Sequence, residues 1–337
     1  MPKHGSGNKK EPISVWKEVD SLNERDTTAH VMILNGPGCS WAAKCGCLMC
    51  GYNEPGDQGS VSKEELIMQT ATAMENYNGE SYIKIFTSGS FLDGNEIPPD
   101  VQTAILKHIG HTAGNVRVLV ESRPEYITED SLSRLSDIEV DLEIAIGLET
   151  ASDAIRMEMV RKGFSYEQYL NSARLVTDSG LSLKTYLLLK PPMLGESSSL
   201  DDCITSIKCI SREFPGSRIS INPMNIQSDT YVEKLFNNKL YRPPWLWSLV
   251  EVLRTGHQLS GGRVHLMSSP TGGGRSRGAH NCGSCDREVL GSILKFSIKN
   301  DPKILPNASD CCQRQWKEHL SSSLLSPVGS DMHLDES

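Results

Sequence analysis

The stretch GCSWAAKCGCLMCGY (residues 38–52) carries four cysteines within twelve positions: Cys39, Cys45, Cys47 and Cys50. It directly follows VMILNG (31–36), an apolar run that predicts a buried strand. Thiols placed this densely in a sequence are typical of metal ligands or redox partners. A zinc ion, a disulfide pair and an iron–sulfur cluster are the alternatives, and three of the four thiols are enough for some of them.

Apolar runs and helix-type stretches alternate along the rest of the chain. Five further runs predict strands at 81–89, 116–122, 141–150, 182–190 and 217–226. Helical periodicity predicts helices at 63–77, 98–110, 129–136, 165–180, 200–214 and 245–259. Six β/α units in series predict an α/β fold with a parallel sheet covered by helices. An open sheet and a barrel both satisfy the pattern, and in either one the cysteine stretch lies at the functional, carboxyl end of the strands.

The composition indicates a protein with a sizeable core and no export signal. The 337 residues are 38% hydrophobic and 23% charged, and the net charge is −8. The polar start MPKHGSGNKKEP lacks the apolar stretch of a signal peptide, and no apolar run has membrane-spanning length, so we expect a cytoplasmic protein. In a reducing compartment, ten cysteines indicate metal or redox chemistry. The negative charge argues against unaided binding of a polyanion, so a nucleic acid needs a local basic patch or a partner protein.

Spacing within the cysteine stretch favours a cluster over a structural zinc ion. Cys47-Leu-Met-Cys50 is a Cys-x2-Cys pair, which both kinds of site use, and Cys39 lies eight residues before Cys47. Three thiolates on one loop would bind three irons of a [4Fe–4S] cluster and leave the fourth iron open to a ligand. A closed zinc site normally takes four protein ligands, and Cys45-Gly-Cys47 is tighter than the usual zinc spacing.

The stretch resembles the cluster loop of radical S-adenosylmethionine (SAM) enzymes, in which three cysteines follow the first strand of a β/α series. Met49 stands just before the last cysteine, as in that superfamily. The Cys-x7-Cys-x2-Cys spacing departs from the commonest form, Cys-x3-Cys-x2-Cys. TSGSF (87–91), ESRPEYI (121–127) and GLETASD (147–153) with RKG (161–163) resemble segments of the branch that contains the Elongator catalytic subunit.

The motifs together resemble one family within that branch, the radical SAM subunits of archaeosine synthase. In order they are SVW (14–16), the cysteine loop, GLET (147–150), KTYLLLKPP (184–192), HNCGSCD (280–286) and a late CC…W (311–316). The resemblance implies a partial (β/α)6 TIM-type barrel of the radical SAM type with a small C-terminal cysteine-containing extension. The implied divisions are a disordered tail at 1–12, a radical SAM core at 13–262, an extension at 263–319 and a second disordered tail at 320–337.

The resemblance also implies a lyase that acts on tRNA. In this superfamily the open iron chelates SAM, and one electron from the reduced cluster splits it into methionine and a 5′-deoxyadenosyl radical. In the archaeosine family a partner subunit adds lysine to 7-cyano-7-deazaguanine in the tRNA D-arm. The radical SAM subunit then breaks the C–N bond of the lysine side chain. The implied partners are that lysine-transferring subunit, an electron donor and tRNA carrying a modified 7-deazaguanine, without a membrane.

The family's site residues carry over to matching positions of this sequence. Cys39, Cys47 and Cys50 are implied ligands of the [4Fe–4S] cluster. Polar and glycine residues at the strand ends are implied to contact SAM: Ser88, Gly89, Ser90, Glu121, Arg123, Glu149 and Lys162. Structural alternatives stay open, because Glu149 also suits a salt bridge to a helix, Glu121 and Arg123 suit an ion pair, and the serines suit helix caps. No catalytic residue follows from the sequence.

A second set of ligand-type residues lies near the C-terminus: His280, Cys282, Cys285, Cys311 and Cys312. One structural zinc ion, a second cluster and unligated thiols are the alternatives for it. The segment GGGRSRGAH (272–280), with Arg263 nearby, is the strongest basic patch. It either receives tRNA phosphates or is a flexible loop.

Two other functions compete with archaeosine formation. Another tRNA-modifying radical SAM enzyme, such as a methylthio- or carboxymethyl-transferase relative, is disfavoured because the sequence shows no added RNA-binding or acyltransferase domain. A non-catalytic zinc-binding adaptor would use Cys47-x2-Cys50 and Cys282-x2-Cys285 as halves of one tetrathiolate site. The adaptor hypothesis predicts a colourless protein with one zinc ion and no SAM cleavage.

Overall fold

The computed structural model describes residues 8–22, 25–51, 61–306 and 312–323. These residues form two compact units. The first contains the described parts of Met1–Gly46, Tyr52–Gly147 and Glu167–Lys184, and the second contains those of Cys47–Gly51, Leu148–Tyr166 and Thr185–Ser337.

Within the described residues, eight strands follow one another in sequence order across one sheet. They are β1 (Ser14–Leu22), β2 (Arg25–Ile33), β3 (Tyr82–Phe86), β4 (Arg117–Glu121), β5 (Asp141–Glu149), β6 (Ser182–Leu189), β7 (Arg218–Pro223) and β8 (His265–Met267). β1 pairs antiparallel with β2, in a register that places Ser14 opposite Ile33. β2 with β3, β3 with β4, β4 with β5 and β7 with β8 pair in parallel.

Helices connect the strands, as parallel pairing requires. They are α1 (Lys63–Met74), α2 (Pro99–Ala113), α3 (Glu129–Leu135), α4 (Tyr166–Asp178), α5 (Glu196–Glu213), α6 (Tyr231–Asn237), α7 (Leu246–Ser260), α8 (Asp286–Lys299) and α9 (Gln313–Ser323). α1 begins with a capping box, in which the Ser62 hydroxyl accepts from the Glu65 N–H and the Glu65 carboxylate accepts from the Ser62 N–H. Short 3-10 helices lie at Pro124–Tyr126 and Pro302–Ile304, and a π-helical stretch lies at Ile155–Val160.

Each unit has its own buried core. In the first unit the strand residues Val31, Met32, Ile83 and Ile85 are fully buried. In the second unit a cluster of buried side chains is formed by Val160, Leu188, Met224, Ile226, Val232 and Tyr241. Met49 packs against that cluster, which anchors the apolar part of the cysteine loop.

The six strands and six helices expected from the sequence are present, with most ends shifted by a few residues. β2 starts six residues earlier than expected, and α5 starts four residues earlier. β1, β8, α6, α8, α9 and the π-helical stretch were not predicted. α9 extends to Ser323, whereas residues 1–7 and 324–337 of the expected tails lie outside the described residues. The domain boundaries of the extension stay predictions. In the part of the chain that the structure describes, every helix is too short or too polar to cross a bilayer.

Candidate cofactor-binding site

The first half of the cysteine loop is a compact turn in the first unit. The carbonyl of Trp41 accepts backbone N–H groups from Lys44, Cys45 and Gly46 at 2.9–3.0 Å. Gly46 closes the turn with a φ of 73°, which only glycine adopts without strain. Cys39 is partly exposed and Cys45 is exposed. Both thiols are free, as ligands of a metal cluster have to be before the cluster is assembled.

The second half of the loop belongs to the second unit. Cys47 is buried and Cys50 is partly exposed. The N–H of Gly51 donates to Oε1 of Gln227 at 2.6 Å. A Cβ at position 51 would lie 2.9 Å from the same oxygen and would displace the Gln227 amide. This contact fixes the backbone that follows Cys50.

Glu96 is a buried carboxylate at the centre of the first unit's polar loops. Its Oε1 accepts the N–H of Ser40, next to Cys39, at 2.7 Å, and its Oε2 accepts the N–H of Ser90 at 2.6 Å. One side chain therefore connects the cysteine loop to the loop after β3. Burial raises the pKa of Glu96 to about 7, against the opposing effect of the two backbone N–H donors.

Gly89 makes room for that carboxylate. A Cβ at position 89 would lie 2.1 Å from Glu96 Oε2 and 2.4 Å from Oε1, well inside van der Waals contact. Ser88 and Gly89 are partly exposed and Ser90 is buried. The glycine in TSGSF is therefore needed for a specific close approach.

Arg123 extends the same polar group toward β4. Its N–H donates to the Ser90 hydroxyl at 3.1 Å, and its guanidinium lies 4.6 Å from the centroid of the Trp41 ring. Its Nε donates to Glu125 at 2.6 Å. Glu121, the last residue of β4, is partly buried. The cation–π contact and the salt bridge hold Arg123 against the cysteine loop.

Glu149 and Lys162 form a salt bridge in the second unit, with 2.7 Å between Nζ and Oε1. Glu149 ends β5 with a φ of 69°, an unusual value for a residue with a side chain. Such strain is concentrated at functional sites. The structural alternative from the sequence was a salt bridge from Glu149 to a helix. Glu149 does form a salt bridge, but its partner Lys162 lies in the loop between the π-helical stretch and α4.

A buried arginine holds the two segments that carry this pair. Arg156 is fully buried within the π-helical stretch. Its Nη1 donates to the Thr150 carbonyl at 2.6 Å, its Nε donates to the Phe164 carbonyl at 2.8 Å, and Nη2 contacts Asp153. Burial lowers the pKa of Arg156 to about 10. The guanidinium fork thus links the end of β5 to the segment after Lys162.

Asp202 of α5 supports the same segment. The Thr150 hydroxyl donates to Asp202 Oδ1 at 2.7 Å and accepts the N–H of Ser152 at 2.9 Å. Burial raises the pKa of Asp202 to about 6, while the Thr150 hydrogen bond and the charge of Arg156 oppose that rise.

The end of β6 is locked by a buried ion pair. Lys190 has a φ of 64°, and its Nζ lies 2.9 Å from Oε2 of Glu196, with both side chains almost completely buried. The Tyr241 hydroxyl donates to the Lys190 carbonyl at 2.5 Å, and the Ser199 hydroxyl accepts the Lys190 N–H at 2.6 Å. These contacts give Lys190, the second lysine of KTYLLLKPP, a structural role.

The C-terminal residues of ligand type divide into three groups. The thiols of Cys282, Cys285 and Cys312 lie together. Nδ1 of His280 lies 2.8 Å from the Gly278 carbonyl. Cys311 lies outside the described residues.

The basic segment is partly neutralised by an acidic side chain. Arg277 donates to Glu233 at 2.6 Å and to the Ile226 carbonyl at 3.2 Å, whereas Arg275 is exposed. This segment is therefore a weaker phosphate site than its sequence suggested.

Comparison with known proteins defines the class. Residues 34–196 match the Radical SAM superfamily. The fold is similar to that of methylornithine synthase (PylB), with a TM-score of 0.55 and 16% identity over 94% of this chain and 79% of that one. The protein is a radical SAM protein of α/β class, and the predicted partial-barrel fold of that type is confirmed.

Two relatives define the family. The chain is 38% identical to archaeosine synthase subunit beta of Methanosarcina acetivorans over 314 residues, which are 92% of this chain and 90% of that protein. It is 32% identical to archaeosine synthase subunit beta of Thermococcus kodakarensis, over 93% of this chain and 98% of that protein. It belongs to the archaeosine synthase subunit beta family, so the family recognised from the motifs is confirmed.

Sequence reasoning missed the two residues that organise the loops, Glu96 and Arg156. Each lies a few residues beyond a recognised motif, TSGSF or GLETASD, in a stretch that looks like an ordinary helix start. The property that distinguishes them is burial, because a charged side chain that is buried needs several hydrogen-bonding partners. The assignments of the cluster ligands and of the SAM contacts stay predictions.

Proposed function

We propose that this protein is the radical SAM lyase of archaeosine formation on tRNA. It would break the lysine C–N bond in a lysine adduct of 7-cyano-7-deazaguanine in the D-arm, leaving the formamidine of archaeosine. The observation that carries the proposal is identity of 38% with archaeosine synthase subunit beta across 92% of the chain. The cysteines of the loop after β2 supply the matching chemistry, because thiolates are the usual ligands of iron–sulfur clusters.

The donor set fits the cofactors that the family implies. Cys39, Cys47 and Cys50 would hold a [4Fe–4S] cluster, and one iron without a cysteine would receive SAM. When bound, these two groups supply a 5′-deoxyadenosyl radical as the hydrogen-abstracting agent. The protein's own contribution is to hold the loop that carries the thiols, which Glu96 and Gln227 do through backbone N–H groups.

SAM would be oriented by the groups at the strand ends. The residues that the family resemblance implies for this role are Ser88, Gly89, Ser90, Glu121, Arg123, Glu149 and Lys162. The paired carboxylate of Glu149 and ammonium of Lys162 would offer partners for the zwitterionic end of SAM and for its ribose hydroxyls. Their pre-formed contacts reduce the reorganisation needed on binding.

The family resemblance implies the partners, and the charge of the protein agrees with a shared tRNA-binding role. A protein with a net charge of −8 and an arginine neutralised by Glu233 is poorly suited to hold tRNA alone. We therefore propose that the lysine-transferring subunit presents the tRNA, and that a separate donor in the cytoplasm supplies the electron.

The test compares anaerobically reconstituted wild type with Cys47→Ala and with the matched loop control Cys45→Ala. Iron content, visible absorbance, release of 5′-deoxyadenosine and the mass of the nucleoside from lysine-modified tRNA are measured. We expect about four irons per protein molecule in wild type and Cys45→Ala, and loss of all four signals in Cys47→Ala.

The outcomes separate the competing functions. SAM cleavage with an unchanged tRNA adduct would refute the substrate and favour another radical SAM tRNA enzyme. A colourless wild type with stoichiometric zinc and no SAM cleavage would refute the enzyme altogether and favour the adaptor.

A further inference from the structure

Three cysteine thiols of the second unit come together away from the cysteine loop. Cys282 and Cys285 precede α8, and Cys312 precedes α9. Sγ of Cys285 lies 3.9 Å from Sγ of Cys282 and 3.7 Å from Sγ of Cys312, and all three sulfurs lie within 4.8 Å of one another. The thiols meet although 27 residues separate Cys285 from Cys312.

The distances distinguish between the kinds of site. Zinc binds thiolate sulfur at about 2.3 Å in a tetrahedron, which places two sulfurs about 3.8 Å apart. A disulfide needs a separation of about 2.05 Å. In a [4Fe–4S] cluster each cysteine binds a different iron, which spreads the sulfurs beyond the separations found here. The two short contacts therefore match one tetrahedral ion.

The surroundings of the sulfurs match thiolates. Nε1–H of Trp247 points at Sγ of Cys312 at 3.3 Å, and the side-chain amide of Asn281 points at Sγ of Cys285 at 3.4 Å. Donors of this kind orient ligands and stabilise negative charge on sulfur. Cys312 is 2% exposed, and a thiolate buried to this degree requires a cation beside it.

We propose that Cys282, Cys285 and Cys312 bind one zinc ion as a structural site that fastens the start of α9 to the start of α8. The Asp286 carboxylate accepts the N–H groups of Asn281 and Gly283, so it shapes the Cys282–Cys285 turn. The fourth position of the tetrahedron is left to a water or another donor.

The zinc ion would help to hold α9 in place within the second unit. The apolar residues of α9 are Trp316 and Leu320, and the Trp316 Nε1–H donates to the Ser248 hydroxyl of α7 at 2.8 Å. A short helix with one such anchor gains little from burial. The zinc ion supplies the second attachment, at the residue that precedes the helix.

The test measures zinc and iron separately in anaerobically purified full-length protein. We expect about one zinc ion per protein molecule in wild type, in Cys47→Ala and in the matched control Cys209→Ser, a partly buried cysteine of α5. Cys282→Ser and Cys312→Ser should lose the zinc. Cys47 lies in the other cysteine loop, so its substitution should leave the zinc content unchanged. The zinc measurement therefore tests this site whether or not the proposed function is correct.

Cobalt(II) binding by metal-stripped wild type keeps the test decisive if a cysteine variant fails to fold. We expect the intense visible absorption of tetrahedral cobalt bound to thiolates, and its displacement by zinc. Wild type without zinc, zinc retained in Cys282→Ser, octahedral cobalt, or about eight irons per protein molecule would each overturn the proposal.

Discussion

The contact between Gly89 and Glu96 yields the sharpest prediction about the site. In Gly89→Ala the new Cβ would lie 2.1 Å from Glu96 Oε2, so the carboxylate has to move by more than about 1 Å to reach ordinary contact. It is held by N–H groups of Ser40 and Ser90 at 2.7 and 2.6 Å. A shift of that size breaks one or both hydrogen bonds and leaves buried donors unsatisfied.

The expected loss follows from these two bonds. A hydrogen bond to a charged group contributes about 1.5–3 kcal/mol. At a pH above the Glu96 pKa of about 7, where the carboxylate is ionised, Gly89→Ala should therefore lower the free energy of unfolding by about 2–4 kcal/mol. In a Glu96→Ala background the same substitution meets no carboxylate and should cost less than about 1 kcal/mol. The double-mutant cycle should therefore give a coupling energy of about 2 kcal/mol between Gly89 and Glu96.

Thermal unfolding of the metal-free protein at fixed pH measures each variant. The transition entropy grows with chain length, so we expect a decrease in Tm of roughly 1–2 °C per kcal/mol, or roughly 2–8 °C for Gly89→Ala. Gly94→Ala is the matched control, because its Cβ would lie an ordinary 3.6 Å from Pro99. Equal losses for Gly89→Ala with and without Glu96 would refute the reasoning.

Three further predictions concern the second unit. Arg156→Lys keeps the charge but cannot reach the Thr150 carbonyl and its other acceptors together, so urea denaturation should show a loss of about 2–4 kcal/mol; an unchanged midpoint would contradict this. The pKa of Asp202, about 6 against 3.8 for the unfolded chain, means that stability falls as pH rises through this window. The stability of Asp202→Asn relative to wild type should therefore rise by about 1–2 kcal/mol as the pH is raised from about 4.5 to 8. A pH-independent difference between the two proteins would refute this prediction. Lys190→Met leaves Glu196 buried without its cation and should cost about 3–5 kcal/mol, while Lys190→Met with Glu196→Gln should recover most of it.

Local patterns carried the sequence predictions that the structure and the comparisons confirm. Strands β2 to β7 are short apolar runs bounded by turns, and each is recognisable from its own residues. The family followed from motifs whose residues are close in sequence, such as Cys47-x2-Cys50. β1 was missed because its residues, SVWKEVDSL, are mostly polar and pair only as the outer strand of a hairpin with β2.

Contacts between distant residues could be seen only in the folded protein. Glu96 reaches Ser40 across 56 positions, a distance over which no sequence period extends. The grouping of Cys285 with Cys312, 27 positions away, was one of the alternatives from the sequence, and the structure shows that their sulfurs lie 3.7 Å apart. Arg156 carried no prediction from the sequence, and only its burial in the structure shows that its guanidinium needs several acceptors. The order of the β/α units and the class of chemistry followed from the sequence, because both are encoded in neighbouring residues. The arrangement of buried polar groups did not, because their free energy depends on partners supplied by other segments.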